Sequence, residues 1–535
     1  MKKAKLLNVE EGFTLKPIPP HSRLRWGKLA LIYASCMASI PVLLVGFWLA
    51  KNYPLKEAII ILFISALIIL TFNFANSFLG TDTGLSASLI GRRTFGRLLS
   101  KIFVSFPLLL VGWGWFGIQL SLAIKSLLVV LGMESLIKGP NSTMLYLLMT
   151  PVIGALFAFT PITHKAAKFG ITNLSIFFVS LFCLVSLSFG LYRAFGIGLE
   201  NLTPPLLKPE SPFPLSIGCT VMIGLCASQF VMLSDYSRFS RRVFPDSLLV
   251  PLVGVSTPQI IFGGISLLVG LFANFQADFF PALIQAGIPR PVFLLLFFSQ
   301  WNASRLVVIY SAGLAGASLT ENPSQRARWR LTILSVIVAT CLVSLGFQEF
   351  FLDFLIYQAI VFVPIGTVIF VDHLFSKRDQ ENELKEGKKA ASLFSLLFGL
   401  AWGLIGFFYF PSSFFLLGSA ISTIITYLLF RRRKKTIQNP SLDQNRNGFP
   451  YPPHGNLNFL FFSLSGLVGA YILSFFLNFP FSDLIVLFLI ALAVLGIVKY
   501  LSQINGLEVE DTGLNAIGIL RGEKGNSEEN YLQTS

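Results

Sequence analysis

Long apolar runs, separated by short polar loops that are mostly basic, dominate this chain. About fourteen of these runs are long enough to cross a bilayer as a helix, which takes about 20 predominantly apolar residues. The composition agrees, because 54% of the residues are hydrophobic and only 13% are charged, against about 25% charged in ordinary soluble domains. The pattern predicts an all-α, multi-pass membrane protein.

Two of the predicted helices contain features that interrupt a membrane span. The first, Trp26 to Ala50, contains Ala38-Ser39-Ile40-Pro41. A proline at mid-membrane frees a carbonyl, which a cavity or a neighbouring helix must satisfy. The sixth, about Leu215 to Ser234, is rich in small residues: Gly218, Gly224, Cys226, Ala227 and Ser228. Broken helices at corresponding positions of two halves are typical of inverted-repeat transporters with a midplane site. Close packing would explain the sixth helix alone, so the transporter interpretation is favoured.

The third predicted helix, Ile102 to Ile124, carries an unusual polar and aromatic group. It follows a predicted polar loop, Thr81 to Gly84, and a predicted basic turn, Gly91 to Arg97. Trp115 offers a stacking face and Gln119 offers a donor and acceptors, and their i, i+4 spacing places them on one side of a helix. This pair suits a planar, nitrogen-rich ligand. Helix packing with tryptophan near the interface is equally compatible with the composition.

The net charge of +15 is explained by topology. When the chain is threaded with both termini in the cytoplasm, most Lys and Arg residues lie in or beside cytoplasmic loops, as the positive-inside rule requires for an inner or plasma membrane protein. The outer loops hold Lys51, Lys56, Lys138, Arg193, Lys208 and Arg290. The basicity therefore predicts no nucleic-acid partner, and the lipid bilayer is the expected macromolecular environment.

The cysteine and histidine residues indicate no catalytic or metal site. The five Cys lie in apolar runs, and the four His are scattered at loops or helix ends. We therefore expect no disulfide framework, no metal site, no cofactor and no enzymatic activity.

The costliest residue for a membrane is Arg305, in the eighth predicted helix, about Pro291 to Ala317. An arginine inside a bilayer needs a partner or a water-filled cavity, and its cost predicts a functional role for it. The alternative is a structural arginine that pairs with carbonyls or with Asp353 of the tenth predicted helix.

Several motifs resemble the nucleobase–cation symporter family, and its cytosine permease branch most of all. They are Leu85-Ser86-Ala87-Ser88-Leu89-Ile90 with Arg93-Thr94-Phe95-Gly96, Gly114-Trp115-Phe116-Gly117, Asp235-Tyr236-Ser237-Arg238-Phe239, Ser299-Gln300-Trp301 and Tyr310-Ser311-Ala312-Gly313-Leu314. The resemblance covers roughly Thr14 to Arg432. It implies a five-helix inverted-repeat fold with helices 1 and 6 broken, and a substrate site between helices 1, 3, 6 and 8.

The resemblance also implies roles for individual residues. Trp115 matches the family's stacking tryptophan, and Gln119 matches a substrate-contacting glutamine of the hydantoin-transporting branch. Gly224 and Ser228 fall on binding-site positions of helix 6, whereas Cys226 replaces an aromatic residue that would sandwich the ring. Ser299 falls where the cytosine branch has a ring-binding Asn. Ser39, at the break of helix 1, completes the expected substrate-binding set.

Coupling to sodium is where the chain departs from the family pattern. The paired Thr residues that help to hold sodium align with Asn302 and Ala303, or with Ala303 and Ser304. Sodium needs several oxygen ligands, but Ala303 has no side-chain oxygen and Arg305 adds a positive charge nearby. We therefore expect transport to be independent of sodium, with a proton carried by a carboxylate such as Asp353, or with no coupling ion.

Together these interpretations divide the chain into seven regions. They are an N-terminal tail (1–25), a ten-helix transport core (26–372), a cytoplasmic loop (373–389), helices 11 and 12 (390–432), a polar basic loop (433–456), two additional transmembrane helices (457–502) and a C-terminal tail (503–535). The two additional helices lie outside the resemblance.

The function expected from the sequence is secondary transport by alternating access. The substrate would be a nucleobase or a related planar heterocycle such as cytosine, a purine or a hydantoin. An amino-acid or amine permease on the same fold is the first alternative. The second is a membrane sensor or structural protein that has lost transport, since the aromatic sandwich and the sodium Thr pair are both missing.

Overall fold

A computed structural model describes residues 17–19, 23–137, 142–159, 174–197, 211–272, 278–304, 310–322, 324–375 and 386–430. The two additional helices predicted at 457–502 lie outside these ranges. Within the described ranges the regular structure is helical, apart from an isolated β-bridge between Leu24 and Ser240. The all-α prediction is confirmed.

The first part of the chain supplies seven helices, which we number in chain order. They are α1 (Trp26–Met37), α2 (Ile40–Asn52), α3 (Leu55–Thr83), α4 (Ala87–Phe95), α5 (Arg97–Val130, with a π-helical turn at Lys101–Ser105), α6 (Ser142–Phe159) and α7 (Leu174–Ile197).

The second part supplies ten more described helices. They are α8 (Leu215–Gly224), α9 (Gln229–Ser237), α10 (Asp246–Phe272), α11 (Phe279–Gln285), α12 (Phe293–Ser304), α13 (Gly313–Thr320), α14 (Gln325–Ser344), α15 (Phe351–Phe375), α16 (Glu386–Tyr409) and α17 (Phe415–Phe430).

Six of the described helices are long and apolar enough to cross a membrane, and the number rises to eight if each of two bent pairs is one span. The bent pairs are α1 with α2, at 58°, and α8 with α9, at 48°. In the first pair, Pro41 is the second residue of the second segment, in the first turn of the helix, where its missing N–H costs nothing. In the second pair, residues 225–228 form a short run of turns. Both predicted breaks are therefore confirmed.

Two local predictions need correction. Thr81 to Thr83 extend α3 instead of forming a loop, and α3 ends at Gly84, whose φ of 68° favours glycine. The stretch predicted as a basic turn is mostly the end of α4, which stops at Gly96 with a φ of 83°. Arg92 and Arg93 lie in the last turn of α4, where positive charge stabilises a helix. A local basic cluster was therefore a helix end, not a turn.

The contacts divide most of the helices into two groups, and the first of them contains helices of both bent pairs. In the first group, α2 packs on α10, and α3 packs on α8, α9 and α10. In the second group, α5 packs on α12 and α14, and α6 packs on α14. Helix α15 packs on α8 of the first group and meets Trp115 of the second, so it lies against both groups.

The N-terminal segment marks one end of the helices, which we call the N-terminal face. The Leu24 amide donates to the Phe239 carbonyl just beyond α9, and Thr81 Oγ1 near the end of α3 donates to the Ser237 carbonyl at 3.1 Å. At the other end, the opposite face, the hydroxyl of Tyr53 donates to the Pro214 carbonyl at 3.1 Å, between the end of α2 and the start of α8.

Candidate functional site

The two helix breaks lie next to each other in the interior. Ala38 and Ser39, which separate α1 from α2, are 0% and 4% exposed. Met37, just before them, has its sulfur 3.9 Å from Sγ of Cys226 and 3.4 Å from Nε2 of Gln229. Cys226 lies in the break between α8 and α9, and Gln229 begins α9. The backbone therefore departs from regular helix at two points that share one buried space.

Helix α10 adds an amide to this space. The thiol of Cys226 donates to Oε1 of Gln259 at 3.6 Å, and Nε2 of Gln259 donates to the Met222 carbonyl in α8 at 3.2 Å. Gln229 is 5% exposed, and its Oε1 has no hydrogen-bond partner in the described part of the chain. An unpaired buried carbonyl oxygen costs free energy and is available to accept a hydrogen bond from a ligand.

Trp115 of α5 packs on an aromatic cluster of α15, the helix that also contacts the end of α8. Its ring is 6% exposed and meets Phe354 and Phe351 edge to face, with centroids 5.5 and 6.3 Å apart. The preceding Gly114 makes this approach close, because a Cβ there would lie 2.8 Å from the ring of Phe354. The expected stacking tryptophan is therefore buried, and the first part of α15 covers it.

Gly224, the last residue of α8, is held by the same helix. Nε2 of Gln358 in α15 donates to the Gly224 carbonyl at 2.6 Å. This bond satisfies a carbonyl at a helix end, where no regular α-helical partner follows. Because Phe354 touches Trp115 while Leu355 touches Gly224, one turn of α15 joins the two predicted binding positions.

Further buried amides have unpaired atoms in the described part of the chain, and they include one on α5 and one on α12. Gln119, one turn beyond Trp115, is 4% exposed, and its Oε1 has no partner. Gln300 in α12 is completely buried with neither Oε1 nor Nε2 paired. Amides in an apolar interior are costly unless something satisfies them, which supports a role in binding.

The remaining predicted site residues are spread more widely. Ser228 is buried in the break, beside Cys226. Ser299 and Ser304 are buried in α12, where their hydroxyls donate to carbonyls of their own helix, those of Leu296 and Trp301. Asp353 is exposed in the first turn of α15 and is not brought to the breaks. The Asn302 side chain and all of Arg305 lie outside the described residues.

Five of the buried residues described above were not assigned a role from the sequence. They are Met37, Gln229, Gln259, Gln300 and Gln358. Four of the five are glutamines inside apolar runs, so the cost of burying an amide was the signal that could have found them. Met37 has no such signal, because methionine is ordinary in a hydrophobic helix.

Ion pairs join the two ends of α5 to the residues just after α13 and just before α12, the first at the N-terminal face and the second at the opposite face. At the N-terminal face, Glu321 follows α13 and accepts hydrogen bonds from Arg97 and from Lys101, the latter at 2.8 Å. These two bonds lower the pKa of Glu321 to about 2. At the opposite face, Arg290 lies 2.6 Å from Glu134. Both pairs have a partly exposed member, so each stabilises the contact only modestly.

Sulfur and amide groups meet at the breaks, and α15 connects them to the aromatic cluster of Trp115. Within the described ranges, no cluster of three or more His, Cys, Asp or Glu could hold a metal ion. Aromatic faces and neutral hydrogen-bonding groups are the chemistry that fits a planar, uncharged, polar molecule.

Comparison with known proteins agrees with this geometry. Residues 17–402 match the family described as permease for cytosine/purines, uracil, thiamine, allantoin, which covers more than half of the chain. The chain belongs to this permease family. The permease is therefore a transporter and not an enzyme. No protein with a curated description matches the sequence significantly.

Solved structures with the same fold are also transporters. Mhp1, a nucleobase-cation-symport-1 family transporter in a closed conformation with bromovinylhydantoin bound, is 15% identical with a TM-score of 0.60, covering 80% of this chain and 95% of Mhp1. Inward-facing Mhp1 is 16% identical with a TM-score of 0.61, covering 80% and 94%. A Na+-coupled sialic acid symporter is 14% identical with a TM-score of 0.50, covering 76% and 90%. At this identity the likeness establishes the fold alone.

Proposed function

We propose that the permease is a secondary active transporter that imports a nucleobase or a related planar heterocycle by alternating access. The observation that carries this proposal is the meeting of both helix breaks at Met37, Cys226 and Gln229. Broken helices free backbone groups that can bind a substrate at mid-membrane without a charged side chain.

The chemistry around the breaks supports a flat, neutral substrate. Trp115 is the ring available for stacking, once the first part of α15 moves away from it. The unpaired oxygens of Gln119 and Gln229 are acceptors, which suit the ring N–H groups of a nucleobase or a hydantoin. Bromovinylhydantoin, the ligand named for Mhp1, belongs to this chemical class.

We place the N-terminal face in the cytoplasm. Arg23, Arg92, Arg97, Lys101 and Arg241 cluster at or near that face, where Arg97 and Lys101 bind Glu321. Basic residues concentrate on the cytoplasmic side of membrane proteins, which supports this orientation.

Transport by this permease is proposed to be independent of sodium. Ala303 is buried and has no side-chain oxygen, and the hydroxyl of Ser304 is engaged with the Trp301 carbonyl. Arg305, next in sequence, would add a fixed positive charge near the aligned sodium position. Coupling would then fall to a proton carried by a carboxylate such as Asp353, whose exposure would allow exchange with solvent, or would be absent.

The decisive experiment is uptake by the purified permease in proteoliposomes. Labelled cytosine, purines and hydantoin would be compared with amino acids and amines, with protein-free liposomes as the control. We expect saturable uptake of at least one heterocycle. Uptake of an amine but of no heterocycle would overturn the substrate class, and no uptake at all would favour a protein that has lost transport.

A further inference from the structure

The segment Asp235-Tyr236-Ser237-Arg238-Phe239, which we call the hub, links the end of α9 to several elements. Oδ1 of Asp235 accepts a hydrogen bond from the amide of Ala87, the first residue of α4, at 2.9 Å. The carbonyls of Ser237 and Phe239 bind Thr81 of α3 and the N-terminal segment, as described above. The carbonyl bonds tie the hub to α3 and to the N-terminal segment, on the side of the first helix group, whereas α4 packs on the start of α5 and on α13, on the side of the second group.

A row of three tyrosines extends from the hub in two directions. Tyr236 lies between Tyr33 of α1 and Tyr310, with ring centroids 4.9 Å apart on both sides. The hydroxyl of Tyr33 also donates to the Leu233 carbonyl in α9 at 3.3 Å. Tyr310 lies just before α13, which packs on α5 of the second group. The row therefore crosses the boundary between the two groups.

Arg238 and Tyr310 form a hydrogen-bonded ring at this boundary. Arg238 is 0% exposed, and its Nη2 donates to the Tyr310 hydroxyl at 2.9 Å. The Tyr310 hydroxyl donates to the Asp235 carbonyl at 3.3 Å, and Nε of Arg238 donates to the same carbonyl at 3.0 Å. A buried guanidinium depends on such partners, so the ring holds α9 against the segment that contains Tyr310.

We propose that the hub and Tyr310 form the gate on the N-terminal face, with the Tyr310 hydroxyl as its latch. This inference rests on the proposed function, because alternating access requires the first group to separate from the second on one face at a time. The bonds from the hub to α3 and the N-terminal segment would move together with α9, whereas the Asp235 bond to Ala87 of α4 crosses the boundary and would be released on opening. The Tyr310 bonds to Arg238 and Asp235 would have to break for the path from Cys226 to that face to open.

The gate can be tested with Cys226 as a reporter, since its side chain is 0% exposed at the helix break. In the full chain, Cys36, Cys183, Cys219 and Cys341 are replaced by Ala, and retained folding is checked by a single thermal transition. The permease is then placed in vesicles of defined orientation. The measurement is the rate at which a membrane-impermeant maleimide labels Cys226 from the N-terminal face, with and without Tyr310→Phe.

Tyr310→Phe keeps the ring stacked on Tyr236 and removes only the hydroxyl. Because two hydrogen bonds of the closed gate are lost, we expect labelling to become about five- to a hundredfold faster from the N-terminal face. Labelling from the opposite face should not increase. Tyr427→Phe is the matched control, since it removes a buried tyrosine hydroxyl that binds Asp372 in α15, and it should leave the rate unchanged.

The outcomes of this labelling experiment test the gate independently of which substrate the permease transports. Equal labelling rates for Tyr310→Phe and its Tyr427→Phe control would overturn the latch. Faster labelling from the opposite face only would show that Tyr310 does not close the N-terminal face, and it would also overturn the proposal. Because the assay needs no substrate, faster labelling at the N-terminal face would support the gate even if no heterocycle were transported.

Discussion

Gly224 ends α8 at a point where the backbone of α15 leaves no room for a side chain. A Cβ at this position would lie 2.3 Å from the Leu355 carbonyl oxygen and 2.7 Å from its carbon. Both atoms are backbone, so neither can turn aside as the end of a flexible side chain would. Gly224→Ala should therefore push α8 and α15 apart.

The size of the effect follows from two contributions. Forcing an extra methyl group into a packed interior costs typically about 1–3 kcal/mol. The separation would also stretch the 2.6 Å hydrogen bond from Gln358 to the Gly224 carbonyl, which is worth about 0.5–1.5 kcal/mol net. We expect Gly224→Ala to destabilise the contact between α8 and α15 by about 2–4 kcal/mol.

The assay is the thermal unfolding of the purified permease in detergent, followed by uptake in proteoliposomes. Gly264→Ala in α10 is the matched control, because a Cβ there would meet nothing within 4 Å. We expect a lower apparent melting temperature and impaired uptake for Gly224→Ala, and neither change for the control. If the two variants melt at the same temperature, α15 does not press on the end of α8 and this reasoning is refuted.

Three further predictions concern the substrate and the coupling ion. Trp115→Ala should weaken binding of the transported heterocycle by roughly tenfold or more, because stacking on a base is worth about 1–3 kcal/mol; unchanged affinity in a binding assay would remove Trp115 from the site. Gln119→Leu should alter the preference among bases with different exocyclic groups, since one unpaired polar contact costs about 1–3 kcal/mol. An equal loss of affinity for every base in competition uptake would indicate that Gln119 only packs against its neighbours. Initial uptake should be the same in sodium and in choline buffer at fixed pH. The reason is that the positive charge of Arg305, about 4 Å from a sodium ion, would repel it by roughly 4 kcal/mol at an intermediate dielectric. Strong sodium dependence would show that Arg305 points away from the sodium position.

Much of the architecture was determined by local sequence. Runs of about 20 apolar residues can satisfy their backbone groups in a bilayer only as helices, which is why the spans could be predicted from hydropathy. Pro41 and the small residues around Gly224 marked both breaks, because each changes the backbone within its own helix. Trp115 and Gln119 stood out because their side chains are poorly suited to lipid contact.

The tertiary structure alone decided which distant residues complete the site. Gln358 lies 134 residues from the Gly224 carbonyl that it binds. The apolar pattern of α15 is the same as that of the other predicted spans, so it does not indicate that α15 packs on α8. The same holds for Tyr310, which lies 72 residues from Arg238. Hydrophobic burial places a helix in the membrane without specifying its neighbour, since lipid and protein interiors are similarly apolar. The neighbours are selected by close packing and by pairing of buried polar groups, and both depend on how the helices fold together.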